Sequence, residues 1–339
     1  MNGVRIGLIG AGRIGAAHAE TLVRTVHGAD LVAVADPRPG VAAALAQPLG
    51  ARGETTAEAV TAADDIDAVV ITASSTAHSA LVVAAAEAGK HVFCEKPAGM
   101  TLAEIDAGVA AASAAGVVFQ VGFNRRFARD FRAAHDAVVD GAIGQVRMLR
   151  SLTRDAGEGP PDPAAVPPWT IFTQTLIHDF DMLNWLNPGA RAVDVLATAD
   201  ALVAPRLKSS GLLDSAVVVI RYDSGAIGTA EASFAAAYGY DVRAEVLGSA
   251  GMVTAGDAAA STMRLHDASG RRAATARSDV ALLGDAYAAE LAELVAAVQE
   301  CRAPEVTGAD ARAALAIAEA CIASIRSGGR AEVDPGVLA

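Results

Sequence analysis

Cysteine and basic charge are scarce in this chain, and long apolar runs are missing. Its three cysteines, Cys94, Cys301 and Cys321, are widely spaced, odd in number and without a CxxC pair. That excludes a disulfide framework and a cysteine-built zinc site, and it fits a reducing compartment. Lys and Arg number 27 against 39 Asp and Glu, a formal net charge of −12. Nucleic acid is thereby excluded as the main partner, because phosphate binding rests on clustered Lys and Arg. The local cluster of Arg125, Arg126 and Arg129 is too small for a duplex footprint. The longest apolar stretches, such as DAVVITA and SAVVVI, are strand-sized, far short of the roughly 20 residues a bilayer span requires. No membrane association is expected. The opening MNGVRIGLIG runs straight into a strand and a glycine turn, unlike a signal peptide, so a cytoplasmic location is expected.

What is present is a compact pattern. A hydrophobic share of 53% with 19% charged residues over 339 positions predicts a globular chain of about two domains. VRIGLIGAGRIGAAHAETLV reads as strand 4–9, glycine turn and helix, with Gly10, Gly12 and Gly15 in GxGxxG spacing. Gly10 permits the tight turn, Gly12 lets a pyrophosphate approach the backbone, and Gly15 lets helix and strand pack closely. Arg13 and Ile14 lie between the last two glycines as further cofactor contacts, where the helix N-terminus offers amides to phosphate. A second strand, 31–35, ends in Asp36, about 20 residues past the last glycine, as a dinucleotide fingerprint requires. Asp36 can accept both ribose hydroxyls and repel a 2′-phosphate, so NAD is favoured over NADP. Arg38 keeps NADP in play, since a nearby arginine can hold that phosphate.

Alternation continues through strand 67–72, helix 77–89, strand 90–94, helix 101–115 (with Thr101 and Glu104 as a capping box) and strand 117–121. This predicts a doubly wound parallel sheet over residues 1–124, with ligands at the carboxyl ends of strands. Ser74, Ser75, Glu95, Lys96, Asn124 and Arg125 fall on that rim. His78 begins a helix beside it, as a cofactor neighbour or merely an N-terminal polar residue. After residue 124 a helix near 127–140 and a strand near 144–154 precede a Pro/Gly/Asp loop, 155–168, a candidate lid. Strands near 190–203, 214–222, 226–236, 241–248, 251–255 and 261–266 follow without intervening helices. A largely antiparallel sheet is expected, closed by helices near 284–300 and 307–326. Residues 125–339 are expected to form the second domain, giving an α/β chain overall.

TQTLIHDFDMLNW, residues 173–185, sets His178 among Leu176, Ile177, Phe180 and Leu183 at helical spacing. A core histidine, a proton carrier and a metal ligand all fit that spacing. Residues three and four apart share a helix face, so Gln174, His178 and Asp181 are expected to point together. His-Asp-x-Asp alone supplies too few ligands for a metal, and no metal site is expected.

GxGxxG, Asp36, GKHVFCEKPAGMTLAE, VGFNRRF and IHDFDML together resemble the Gfo/Idh/MocA oxidoreductase family, nearest its inositol 2-dehydrogenase branch. The resemblance runs nearly end to end. It implies a Rossmann domain joined to an α/β domain with a large open sheet, whose face makes a homo-oligomer (dimer or tetramer). It also implies hydride transfer between nicotinamide and a secondary alcohol or ketone of a cyclitol or sugar. By position, Lys96 matches the family's EKP lysine and His178 its proton-transferring histidine. Asn124 and Arg125 match the segment bordering cofactor and substrate; Arg154, Asp155 and Tyr238 match segments lining the polyol pocket. Gln174 departs, standing where that branch has aspartate four residues before the histidine. That departure leaves open a biosynthetic ketone or imine reductase, or a nucleotide-binding regulator that has lost catalysis.

Overall fold

The computed structural model describes residues 3–336 except 160, 161, 163 and 165, so much of the expected lid lies outside the described residues. The chain divides into two compact units. One holds the chain up to Phe127 together with Asp285–Arg312, the other Ala128–Gly284 together with the chain from Ala313 onward.

The first unit contains β1 (Val4–Ile9), α1 (Arg13–Arg24), β2 (Ala29–Ala35), α2 (Val41–Ala46), β3 (Arg52–Glu54), α3 (Glu58–Thr61), β4 (Ala68–Ile71), α4 (His78–Glu87), β5 (His91–Glu95), α5 (Leu102–Ala115) and β6 (Phe119–Gly122). Its sheet is fully parallel in the order β3-β2-β1-β4-β5-β6. All four residues of β4, AVVI, are buried, as expected of a strand covered on both faces. The order reverses between β1 and β4, and such a switch point opens a crevice at the strands' carboxyl ends. Thr101 caps α5 by accepting the Glu104 amide at 3.2 Å.

The second unit contains α6 (Arg129–Val139), β7 (Val146–Ala156), α7 (Ile177–Trp185), β8 (Ala192–Asp200), β9 (Ser215–Tyr222), β10 (Ile227–Ala236), β11 (Asp241–Gly248), β12 (Met252–Ala255), β13 (Leu265–Asp267) and β14 (Gly270–Arg272). The chain closes with α8 (Asp279–Glu300), α9 (Gly308–Ser327) and β15 (Ala331–Glu332). A seven-stranded sheet runs β12-β11-β7-β10-β9-β8-β15, antiparallel except where β7 meets β10. The chain between those two strands crosses over through α7, β8 and β9, which is what a parallel pair requires.

Beyond the expected cut at 124/125 the chain returns to the first unit: Leu291, Leu294 and Val295 of α8 are buried in one core with Val4, Ile6, Leu31 and Phe93. Their i, i+3, i+4 spacing makes an apolar stripe that belongs to the first unit. The strand near 261–266 is not part of the large sheet; β13 pairs only with β14 in a hairpin exposed throughout. With no buried face, nothing recruits it to the sheet.

Candidate active site

In the first unit a cleft of about 700 Å³ opens where the strand order reverses, lined by Gly10, Gly12, Asp36, Arg38, Thr55 and Ser74 among others. Gly10 has a φ of +105°, and a Cβ there would meet the Ala73 amide nitrogen at 2.5 Å. A Cβ on Gly15 would lie 1.9 Å from the Gly10 carbonyl, whereas one on Gly12 would meet nothing within 4 Å. The three glycines thus split their work between turn, close packing and open approach. Arg13 and Ile14 open α1, with Arg13 exposed. Thr72 Oγ1 donates to the Gly10 carbonyl at 2.7 Å and fixes the turn.

Asp36 is 4% exposed. It accepts the Ala11 amide at 2.9 Å and, on its two oxygens, Nε and Nη2 of Arg38 at 2.8 Å each. Hydrogen bonds from Arg38 hold its carboxyl well below the usual carboxylate range. The Arg38 side chain is 60% exposed, so its half of this fork competes with solvent. Sequence reasoning missed the opposite wall of the cleft, Thr55, Thr56, Ala57 and Glu58. They follow β3, a three-residue strand reading RGE, which carries no apolar periodicity to announce it.

Further along the rim the candidates spread out. Ser74 lines the cleft; Ser75, His78, Glu95 and Lys96 do not. His78 is buried, with Nδ1 2.8 Å from the Pro97 carbonyl and Nε2 3.0 Å from the Ala73 carbonyl. It ties the loop after β4 to the loop after β5, which is a positioning role for the Lys96 loop. Glu95 turns inward rather than toward the cleft: His18 Nε2 lies 2.8 Å from its Oε1, and the Lys96 amide donates to its Oε2 at 3.2 Å. Strand alternation points it into the fold, away from the cofactor position expected for it. Lys96 is half-buried at the strand's end. Asn124 and Arg125 are buried in the 3₁₀ turn after β6, and the Asn124 Oδ1 has no hydrogen-bond partner among the described residues.

In the second unit the segment before α7 is not a regular helix. Ile171–Thr175 forms a π-helical turn, with the Leu176 amide donating to the Ile171 carbonyl five residues back at 2.8 Å. Such turns recur at functional sites. The wider turn takes Gln174 off the regular face of α7, and Asp181 is 1% exposed while His178 and Gln174 are half-buried. His178 and Asp181, three residues apart within α7, share a face, whereas Gln174 precedes them in the π-helical turn. Asp179, wholly buried, accepts Ser151 Oγ at 2.5 Å and Thr153 Oγ1 at 2.6 Å, clamping α7 onto β7.

Strand alternation also separates the expected pocket residues. Ser151 and Thr153 face α7, and Asp155 shares their parity on β7. Arg154 points the other way and bonds Glu231 at 2.9 Å beside Arg150, on the open face of the sheet. Tyr238 donates to Asp241 at 2.6 Å, and Asp241 sits opposite Arg154 in the β7/β11 register. Arg154 and Tyr238 are thus grouped with each other through Asp241. The aromatic residues of this unit pack structurally: Trp185 stacks on His135 at 4.1 Å, and Arg326 lies 5.2 Å over Trp169.

Comparison with known proteins draws these parts together. An oxidoreductase family with an NAD-binding Rossmann fold, Gfo/Idh/MocA, matches residues 4–123, and its C-terminal α/β domain matches residues 126–333. The chain belongs to this family. It is similar to the myo-inositol 2-dehydrogenase of Thermotoga maritima, 37% identical over 95% of this chain and 96% of that protein. It is similar also to the scyllo-inositol 2-dehydrogenase (NAD(+)) of Bacillus subtilis, 34% identical over 98% and 96% of the two chains. Among solved structures, the scyllo-inositol dehydrogenase of Lactobacillus casei with bound NAD(H) and scyllo-inositol superposes with a TM-score of 0.93. That match has 25% identity and covers 98% of this chain and 99% of the other. The α/β architecture, a Rossmann domain followed by a mainly antiparallel open sheet, is therefore a family property as well as a physical one.

Proposed function

We propose that this member of the family is an NAD(H)-dependent oxidoreductase acting on a secondary alcohol, or its ketone, of a cyclitol or sugar-derived polyol. The observation that carries the reading is that Gly10 and Gly12 of the glycine turn line one cleft with the Asp36 carboxylate. Gly12 leaves open room for a pyrophosphate and Asp36 stands where a ribose would meet it, so the residues present fit the dinucleotide. Ser74 lines the same cleft, and Arg13 and Ile14 open the helix that follows the glycine turn. NAD is preferred to NADP because the Asp36 charge opposes a 2′-phosphate, and Arg38 already spends its fork on Asp36.

Bound nicotinamide supplies the hydride acceptor in oxidation and the donor in reduction. His178 takes the hydroxyl proton during oxidation, and Lys96 stabilises the oxygen that becomes negative. Asn124 and Arg125 border the substrate, with Gln174 and Asp155 completing its polar surroundings. Gln174 favours a second direction. Its side chain can orient an imidazole but gives an imidazolium no charge partner, so carbonyl reduction is favoured over alcohol oxidation at neutral pH.

A homo-oligomer, dimer or tetramer, forms through the open face of the large sheet. Ile227, Met148, Leu247 and Met252 make one cross-strand row there, all exposed. Apolar rows of this kind on a soluble chain mark interfaces. Mass measurement in solution should give a multiple of 34.1 kDa.

The reading is tested by scanning inositols, other cyclitols and keto-sugars for NADH absorbance change in both directions, with NADP(H) in parallel. Turnover of at least one cyclitol or keto-cyclitol with NAD(H) is expected. Tight NADH binding with no turnover of any panel member would favour a nucleotide-binding regulator instead.

A further inference from the structure

Three titratable side chains from distant parts of the chain meet inside the first unit. His18 stands on α1, Glu95 ends β5, and Glu290 arrives on the returning helix α8. Their exposures are 1%, 9% and 0%, and one nitrogen or oxygen of each lies within 4.8 Å of the others. His18 Nε2 lies 2.8 Å from Glu95 Oε1, and the Lys96 amide donates to Glu95 Oε2 at 3.2 Å. Neither carboxylate oxygen of Glu290, nor Nδ1 of His18, has a hydrogen-bond partner among the described residues. The Glu290 backbone is held in place by Gln120, whose Nε2 donates to its carbonyl at 2.7 Å.

Two ionised carboxylates this close and out of water repel strongly, so a proton or a cation must lie among them. The geometry chooses the proton. A tetrahedral metal about 2.1 Å from each ligand would hold nitrogen and oxygen ~3.4 Å apart. The 2.8 Å between His18 and Glu95 is a direct hydrogen bond. Glu95 accepts the Lys96 amide as well, whereas no donor reaches the Glu290 carboxyl among the described residues, so the proton is assigned to Glu290. Burial first, and the Glu95 charge second, push the Glu290 carboxyl well above the usual carboxylate range.

We propose that Glu290 is a positioning residue for Lys96: as a neutral carboxylic acid it fills the buried space beside Glu95 without a second charge, leaving Glu95 held between His18 and the Lys96 backbone amide. This rests on the assignment of Lys96 to the reacting oxygen. Titratable groups beside the cluster include Cys94, a buried thiol pushed well up by desolvation, and Tyr287, whose ring centroid is 5.5 Å from that of His18.

Infrared difference spectroscopy of the full chain at pH 8 should show the carbonyl stretch of a protonated carboxylic acid, absent from Glu290→Gln. Glu290→Ala should lower kcat about ten- to a hundredfold, the scale of a small misplacement at a reacting group. Its KM for NAD should stay within about twofold, and Glu290→Gln should recover most of the lost kcat. In a Lys96→Ala background, Glu290→Ala should cost nothing further. An absent band, a band that persists in Glu290→Gln, or an equal loss of kcat in the Lys96→Ala background overturns the proposal. A stoichiometric divalent metal in the purified protein, lost in Glu290→Gln, overturns it in favour of a cation site. Full turnover by Lys96→Ala alone would show instead that the Lys96 assignment had failed, while the infrared band would still report the state of Glu290. If Glu290→Ala does not fold, the band and the Glu290→Gln variant still decide.

Discussion

The two units build their functional surfaces in different ways. In the first, the nucleotide cleft is assembled from short consecutive stretches, a glycine turn and the ends of neighbouring parallel strands. In the second, the surroundings of His178 depend on which face of a sheet each strand residue takes and on how a π-helical turn rotates Gln174. A parallel α/β sheet gathers its strand ends at one rim, and the glycine turn there is read from sequence spacing, whereas contacts along the strands of the second sheet depend on register. Motifs therefore carry further in the first unit than in the second.

The largest expected effect lies at Lys96. Lys96→Ala should lower turnover by about two to four orders of magnitude, the range for lost proton or charge assistance, with the cleft around Asp36 unaltered. Steady-state kinetics on the active panel member checks it, and a loss below about fivefold would remove Lys96 from the reacting centre.

Next comes Asp36. Asp36→Ala removes a charged acceptor whose hydrogen bonds are worth about 1.5–3 kcal/mol each, and should narrow the preference for NADH over NADPH by roughly ten- to a hundredfold. Titrating both cofactors into both proteins measures this. Better NADPH binding by the unmodified chain would instead assign the 2′ position to Arg38.

Gln174→Asp addresses the second unit and a smaller effect. Supplying the missing negative charge should raise cyclitol oxidation at pH 7 more than the reverse initial rate, leaving the overall equilibrium unchanged. The loss caused by an amide in place of aspartate in the serine-protease triad, about 10⁴, bounds the gain from above. Rate profiles against pH for both directions show it; abolition of a fast neutral-pH oxidation would make Gln174 a specificity residue.

How far the sequence was readable follows the same division. Gly10, Gly12, Gly15 and Asp36 were legible because backbone geometry and ligand chemistry both demand those residue types at that spacing. The β3 wall of the cleft, Thr55 to Glu58, was not, because a short strand reading RGE has no periodic signal. Arg154 and Tyr238 could be placed near a strand end but not on a face, since parity depends on register. Gln174 could be aligned with His178 only by assuming a regular helix. Glu290 was invisible as a partner of Glu95, because 195 residues separate them and only the return of α8 joins them.

The smallest expected effect concerns that pair. The Glu290 carboxyl is raised in the folded state, so the native chain binds the extra proton and loses stability as pH climbs from the ordinary carboxylate range toward the folded value. For one proton the slope is at most about 1.4 kcal/mol per pH unit. Glu290→Gln should remove that slope, so its Tm advantage should grow from pH 5 to pH 8; a constant difference would mean that Glu290 titrates normally.

The division between the two units is tested most directly at His178, which stands in the second unit and outside the nucleotide cleft. Calorimetric titration of NADH into His178→Ala, beside kcat measured on the same preparation, reads both halves of the claim at once. Dissociation constants within about twofold of the unmodified protein are expected, with kcat lower by at least about a hundredfold. Parallel losses in cofactor affinity and turnover, or turnover that survives the substitution, would contradict it.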